Sequence, residues 1–310
     1  MNKRWVLNLG LLILIITLGL FAWFKPGIKP SPVEPALTTL KAADIHDIEI
    51  VRPDAPHIKL QRQNNRWRML APRDVAADGY LVKAFLDSLA APTLRHFKVE
   101  TAELDKFGLA KPQLQLRLND SEIDFGTTEP LGGNRYVKVG DTLYLTTGEL
   151  FYRLSHDALW WVDKQLLPAD AHITALQLPN ATLTLQNGKW QLTPANPAIS
   201  ADAIQKLVDA WHDARALSVL TPEAGRSSGE AAIQLAGKAQ PLRFEILDNP
   251  DFLILVRPDL KLEYRFEQDQ RRALLELQPT RAGKTATGHN GAKESPDART
   301  AGSRNHPPGH

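Results

Sequence analysis

The chain has 310 residues, 37 Lys/Arg against 35 Asp/Glu, and 43% hydrophobic residues. That composition suits one large or two small globular domains and excludes a disordered or collagen-like chain. There is no cysteine, which excludes disulfides, Cys-ligated zinc, iron–sulfur clusters, a thiol nucleophile and lipid modification of an N-terminal cysteine.

The charge is uneven along the chain. Residues 1–42 carry +4, 279–310 carry +3, and 43–278 carry −5. The basic charge sits in the ends, so the sequence gives no reason to expect nucleic acid, which wants a basic patch on the fold itself.

Val6 to Phe24 is a 19-residue run without a charge. About 20 apolar residues cross a bilayer core as a helix. Trp5 and Trp23 stand near its ends, at headgroup level, and Lys3 and Arg4 precede it. A cleaved signal peptide would have an apolar region of about 7–15 residues and small residues at its end. This run is longer and ends in Phe21-Ala22-Trp23-Phe24. A buried soluble helix would show a polar face, and none is visible. The expectation is a cytoplasmic N-terminus at 1–5 and an uncleaved transmembrane helix at 6–24. A spacer follows at 25–42, with four prolines between Lys25 and Pro35, extended and semi-rigid.

The next elements are strands at Ile48–Val51, Ile58–Leu60 and Arg66–Leu70, with Asn64-Asn65 as a hairpin turn. Asp78 reads as an N-cap, followed by Val82, Phe85, Leu86 and Leu89 on one helical stripe. Strands are expected at 114–118, 122–125, 136–139 and 142–145, and a short helix at 150–161. The pattern then recurs. Strands at 182–185 and 189–192 flank Asn187-Gly188, Ser200 replaces Asp78, and Ile204, Leu207, Val208 and Trp211 repeat the stripe. Pro72 and Pro194 are 122 residues apart, as are Leu89 and Trp211, while Trp67 and Trp190 are 123 apart. Strands at 242–246, 252–256 and 260–264 and a short helix at 269–277 complete the second copy. The fold class is therefore α+β: two tandem, mostly antiparallel sheet modules at 43–165 and 166–278, each with one main packed helix. Residues 279–310 have the composition of a disordered tail. Its His289, His306 and His310 read as solvated rather than metal-binding.

Leu104-Asp-Lys-Phe107-Gly108-Leu109-Ala-Lys-Pro112, Ile123-Asp-Phe-Gly126-Thr-Thr-Glu-Pro130 and Trp67…Pro72…Asp78 resemble the hallmarks of the family of unknown function numbered 4340. The resemblance covers about 43–160; the second copy lacks the Phe-Gly-Leu…Pro segment. It implies a membrane-anchored bacterial protein with its domain outside the cytoplasm, in the periplasm of a Gram-negative inner membrane. Some members are described as auxiliary parts of gliding-motility-type ABC transport systems. It implies no catalytic residues.

The remaining chemical candidates read more simply as structure. Gly225-Arg-Ser227-Ser-Gly229 matches the nucleophile-elbow pattern, but no long helical stripe follows it, and the later histidines lie in the tail. His46-Asp47, His156-Asp157 and His212-Asp213 are adjacent in sequence, so on a regular strand or helix their side chains diverge. Asp120, Glu122 and Asp124 alternate along a strand, as on the solvated side of a half-buried sheet. No phosphate loop or dinucleotide fingerprint is present. Trp67 and Trp190 read as core. Trp160 and Trp161 either share the inter-module core or divide, one buried and one facing a partner.

The sequence thus points to a non-enzymatic, cofactor-free scaffold or accessory subunit of an envelope or transport assembly, with the membrane and a protein as partners. A ligand-binding module for a glycan, lipid or peptide, with its groove between the copies, is the alternative. An envelope hydrolase is a third and weaker reading.

Overall fold

The computed structural model describes residues 3–24, 34–98 and 100–278. Half of the Pro-rich spacer, residues 25–33, and all of the basic tail lie outside the described residues, as does the Lys3 side chain.

Helix α1 spans Lys3–Phe24, and its side chains are described for 4–20 and 23. Leu, Ile and Val side chains are exposed all around it: Leu11, Leu12, Ile13 and Leu14 are successive in sequence and each about half accessible. Trp5 and Trp23 are exposed at its two ends. Among the described residues, no helix is long and apolar enough to cross a membrane.

The first module begins with β1 (Asp47–Arg52), β2 (Ala55–Gln63), β3 (Arg66–Ala71) and β4 (Val75–Ala76), then α2 (Gly79–Leu89). It continues with β5 (Arg95–Lys98), β6 (Leu114–Leu118), β7 (Ser121–Thr128), β8 (Arg135–Val139), β9 (Thr142–Thr146) and α3 (Glu149–Leu154). The second runs β10 (Ile173–Leu178), β11 (Ala181–Gln186), β12 (Lys189–Thr193), α4 (Ala201–His212), β13 (Ser218–Leu220), β14 (Ser227–Leu235), β15 (Leu242–Leu247), β16 (Phe252–Arg257), β17 (Leu262–Glu267) and α5 (Gln270–Leu275).

The strands form two separate antiparallel sheets of nine and eight strands, ordered β4-β3-β2-β1-β6-β7-β8-β9-β5 and β12-β11-β10-β14-β15-β16-β17-β13. The orders superpose strand for strand, and β4 is the only addition. In both modules a three-stranded meander leads into the main helix. The chain then passes to the far edge strand, returns beside the first strand, and runs a second meander outward. The peptide bonds before Pro72 and Pro194 are both cis.

Local chemistry explains the matching turns and helix starts. Asn64-Asn65 and Asn187-Gly188 all have positive φ, the geometry of a two-residue type I′ hairpin turn. Asp78 accepts from the Tyr80 and Leu81 amides, and Ser200 from the Ala203 amide, satisfying donors that a helix start leaves open. Val82, Phe85, Leu86 and Leu89 are buried on α2, as are Ile204, Leu207, Val208 and Trp211 on α4. One continuous set of buried side chains passes from the first module to the second through Trp161, Val162, Leu166 and Leu167.

Several expectations need correction. Residues 150–161 are not one helix: α3 stops at Leu154 and a separate 3-10 turn covers Ala158–Trp161. The last strand starts at Leu262, because Leu260 belongs to the turn in which Lys261 takes φ 53°. Trp67 and Trp190 are half-buried, and Met69 takes the fully buried position on β3.

Candidate functional site: the cleft between the two modules

The segment Trp161–Leu167 joins the modules and is held from both sides. Asp78 N–H donates to Trp161 O at 2.8 Å and Asp163 N–H to Ala76 O at 2.9 Å. On the other side, Leu166 N–H donates to Ala214 O at 3.0 Å and Ala216 N–H to Lys164 O at 2.9 Å.

Arg215 completes the junction. Its Nη2 donates to Asp78 Oδ2 at 2.6 Å, and its Nη1 lies 3.4 Å from Asp163 Oδ1. The Asp78 side chain is only 4% exposed, so its second oxygen needs this partner. Burial pushes the Asp163 carboxyl above its ordinary value, and the Asp78 charge adds to that. The Gln165 amide and Arg215 pull it back. Arg73 makes a second tie, donating to the Leu260 and Lys261 carbonyls. Arg66 and Asp170 pair across the modules at 2.9 Å.

Beside this junction the interface opens into a cleft of about 1270 Å³. Its walls come from the β2–β3 hairpin, one face of α2 from Gly79 to Asp87, the linker from Val162, the β14–β15 turn and the β16–β17 hairpin. Trp67 and Tyr264 line it. Burial pushes the Tyr264 phenol up to about 12, so it presents a neutral hydroxyl at physiological pH. The lining cations are mostly held locally: Arg66 by Asp170, Lys83 by Asp87 at 2.6 Å, and Arg257 by both oxygens of Asp259 at 2.9 and 2.7 Å.

Trp160 and Trp161 divide. Trp161 is fully buried, edge-on to Phe85 with ring centroids 5.5 Å apart. Its Nε1 has no hydrogen-bond partner. Trp160 is half-buried and stacks on His156 at 4.7 Å, and His156 meets the exposed Tyr152 edge-on at 4.9 Å. Tyr152, His156 and Trp160 thus form an aromatic row leading from the surface to the core.

The other sequence candidates do not converge. Ser227 begins β14, not a strand-to-helix turn, and its hydroxyl lies 3.4 Å from Gly229 O. His46 and His212 each reach their neighbouring aspartate, at 3.6 and 2.7 Å. Both pairs sit at element ends, where the divergence expected of regular structure does not apply. Asp157 instead caps the 3-10 turn through the Trp160 amide. Glu122 pairs with Arg117 and Asp124 with Lys138, each at 3.0 Å. Among the described residues, no group of three His, Asp or Glu side chains is arranged to hold a metal.

The two hallmark segments of the first module touch one another. Thr127 Oγ1 donates to Phe107 O at 3.0 Å. A Cβ on Gly126 would stand 2.2 Å from Phe107 O, and one on Gly108, itself at φ 65°, 2.5 Å from Thr127 Cγ2. Phe107 packs against Phe97 and Tyr136. Arg135 lies 3.4 Å over the Phe151 ring, and its desolvation lowers its pKa. None of these residues lines the cleft.

The family model described as a domain of unknown function, DUF4340, matches residues 67–233. The match starts on β3 and ends on β14, so it reaches further into the second module than the sequence resemblance does. No curated protein and no solved structure matches the chain.

Proposed function

The chain belongs to the DUF4340 family, and on that premise we propose that it is a membrane-anchored, non-enzymatic accessory subunit of an envelope or transport assembly, with both modules in the periplasm. The observation that carries the reading is α1. The part described with its side chains, 4–20, falls short of a span by itself, but the full 22 residues of α1 rise about 33 Å at 1.5 Å each, close to the thickness of a bilayer's hydrocarbon core. Exposed Leu, Ile and Val on every side favour lipid over water. The sequence continues apolar through Phe21, Ala22, Trp23 and Phe24. The two modules share one core and are tied by Arg215, Arg73 and Arg66, which suits a rigid scaffold. The row Tyr152–His156–Trp160 offers a surface of the type enriched at protein interfaces.

The test is extraction. A chain anchored by α1 stays with membranes after an alkaline carbonate wash and is released by detergent. Deletion of residues 1–24 frees it. A full-length chain released by carbonate alone would refute the anchor.

The cleft supports a second reading, a ligand-binding module, because ligand sites favour concave spaces between domains. Binding of a small molecule that protects Trp67 from quenching would support it, and an interface closed to such probes would count against it.

A further inference from the structure

The geometry points to a polyhydroxylated ligand for the inter-module cleft, a saccharide with Trp67 as its platform; this rests on the ligand-binding reading above. The internal repeat supplies the comparison. Trp190 is the second-module counterpart of Trp67, and its Nε1 donates to Gln205 Oε1 on α4 at 3.2 Å. Gln205 is in turn held by Asp209 at 2.8 Å. The first-module counterparts of Gln205 and Asp209, 122 residues earlier, are Lys83 and Asp87. An ammonium group has no acceptor to offer, and Lys83 pairs with Asp87 instead. Among the described residues no group accepts from the Trp67 indole N–H, and Trp67 lines the cleft whereas Trp190 does not. The first module has thus opened a contact that the second keeps closed.

The rest of the lining selects among ligand classes. Val75, Ala77, Val162, Leu166 and Leu167 border the cleft but are each at most 4% exposed. The large apolar side chains left partly open are Trp67, Leu242 and Leu260, so an acyl chain is the contrast that the test carries. An extended peptide would add to a strand edge, but β3 is already paired with β4, and Ala77 N–H already donates to Trp67 O at 3.0 Å. Of the lining cations, Arg66, Lys83 and Arg257 are engaged by carboxylates, while Arg62 donates to the Ala43 carbonyl and the Asn65 side chain and, with Lys238, has no carboxylate partner among the described residues, so hydroxyl groups and an anionic substituent are both served. Around the one indole stand the exposed carboxamides of Gln63, Asn64, Asn65 and Gln240. Amides offer both donors and acceptors, and sugar hydroxyls need both. An aromatic ring supplies a flat apolar surface for the C–H faces of a pyranose.

The test uses the full-length protein in lipid nanodiscs, titrated calorimetrically against empty nanodiscs. The probes are chitohexaose, maltohexaose and, for contrast, palmitate. The expected result is saturable binding of at least one hexasaccharide, weakened at least ten-fold by Trp67→Ala and unchanged by Trp190→Ala. The double variant Gln63→Ala/Gln240→Ala alters only exposed side chains and should also weaken binding, which covers the case in which Trp67→Ala fails to fold. Palmitate binding that depends on Trp67, without saccharide binding, would overturn the saccharide assignment and leave the ligand-binding reading standing. Saccharide binding indifferent to both the Trp67 and the double variant would overturn the site. Failure of all three probes would overturn site and reading together.

Discussion

Asp78 performs two tasks with one carboxylate. Oδ1 caps α2, and Oδ2 receives Arg215 from the other module. Ser200 has only the capping task. Asp78→Ala should therefore cost about 2–4 kcal/mol, the loss of a cap plus a charge-assisted hydrogen bond. Ser200→Ala should cost about 1 kcal/mol. Urea midpoints of the two variants, measured side by side, check the ordering. Tyr264 gives a prediction in pH. Its phenol is raised from 10 to about 12 by burial, so its contribution is fully present below pH 10 and is lost as pH rises toward 12. At 1.36 kcal/mol per unit the loss approaches about 3 kcal/mol. Melting curves from pH 9 to 12 should show Tyr264→Phe gaining on the natural protein; parallel curves would contradict the shift. The cap at Asp78 was legible in sequence because capping depends on a few adjacent residues. Its bond to Arg215, 137 residues away, was not, since no local pattern encodes a tertiary partner. The two tryptophans look alike in sequence, and only the neighbouring helix position, Lys83 or Gln205, separates their roles.

At the scale of elements, the hallmark motif gains a physical meaning. Phe107-Gly108-Leu109 seats on Gly126-Thr127, and a methyl group at Gly126 would collide with backbone at 2.2 Å and with Leu109 Cγ at 2.9 Å. Gly126→Ala should destabilise by about 3 kcal/mol, as overpacking does. Gly133→Ala, in open space, should cost about 1–2 kcal/mol from its left-handed backbone alone. Thermal melts of both variants compare them. Strands with clean alternation, such as β6 and β9, and hairpins with Asn-Gly turns were legible. β10 was not, because a bulge between Ile173 and Ala175 breaks its alternation. β14 was not, because Ser-Ser-Gly-Glu-Ala-Ala has the composition of a loop and a second bulge interrupts it near Ser227. The edge strands β5 and β13 are short and gain their strand character from β9 and β17, which lie far along the chain.

At the scale of the molecule, the duplication was visible in the constant spacing of Pro, cap and helix stripe. The structure extends it to a matched order of eight strands, with β4 added in the first module. The ligand-binding reading of the sequence expects a concave, aromatic-lined groove between the copies, without naming the residues that line it. Its character comes from the asymmetry between copies, which a repeat search averages away. The proposed role, a pair of modules held at a membrane to serve a larger assembly, requires a stable partner there. The most direct test is crosslinking of the full-length protein in its own membrane, followed by mass spectrometry of what co-purifies. The expected result is stoichiometric envelope or transporter subunits, with crosslinks lost when Tyr152 and Trp160 are replaced by alanine. Recovery of the protein alone, or only as its own oligomer, would contradict it.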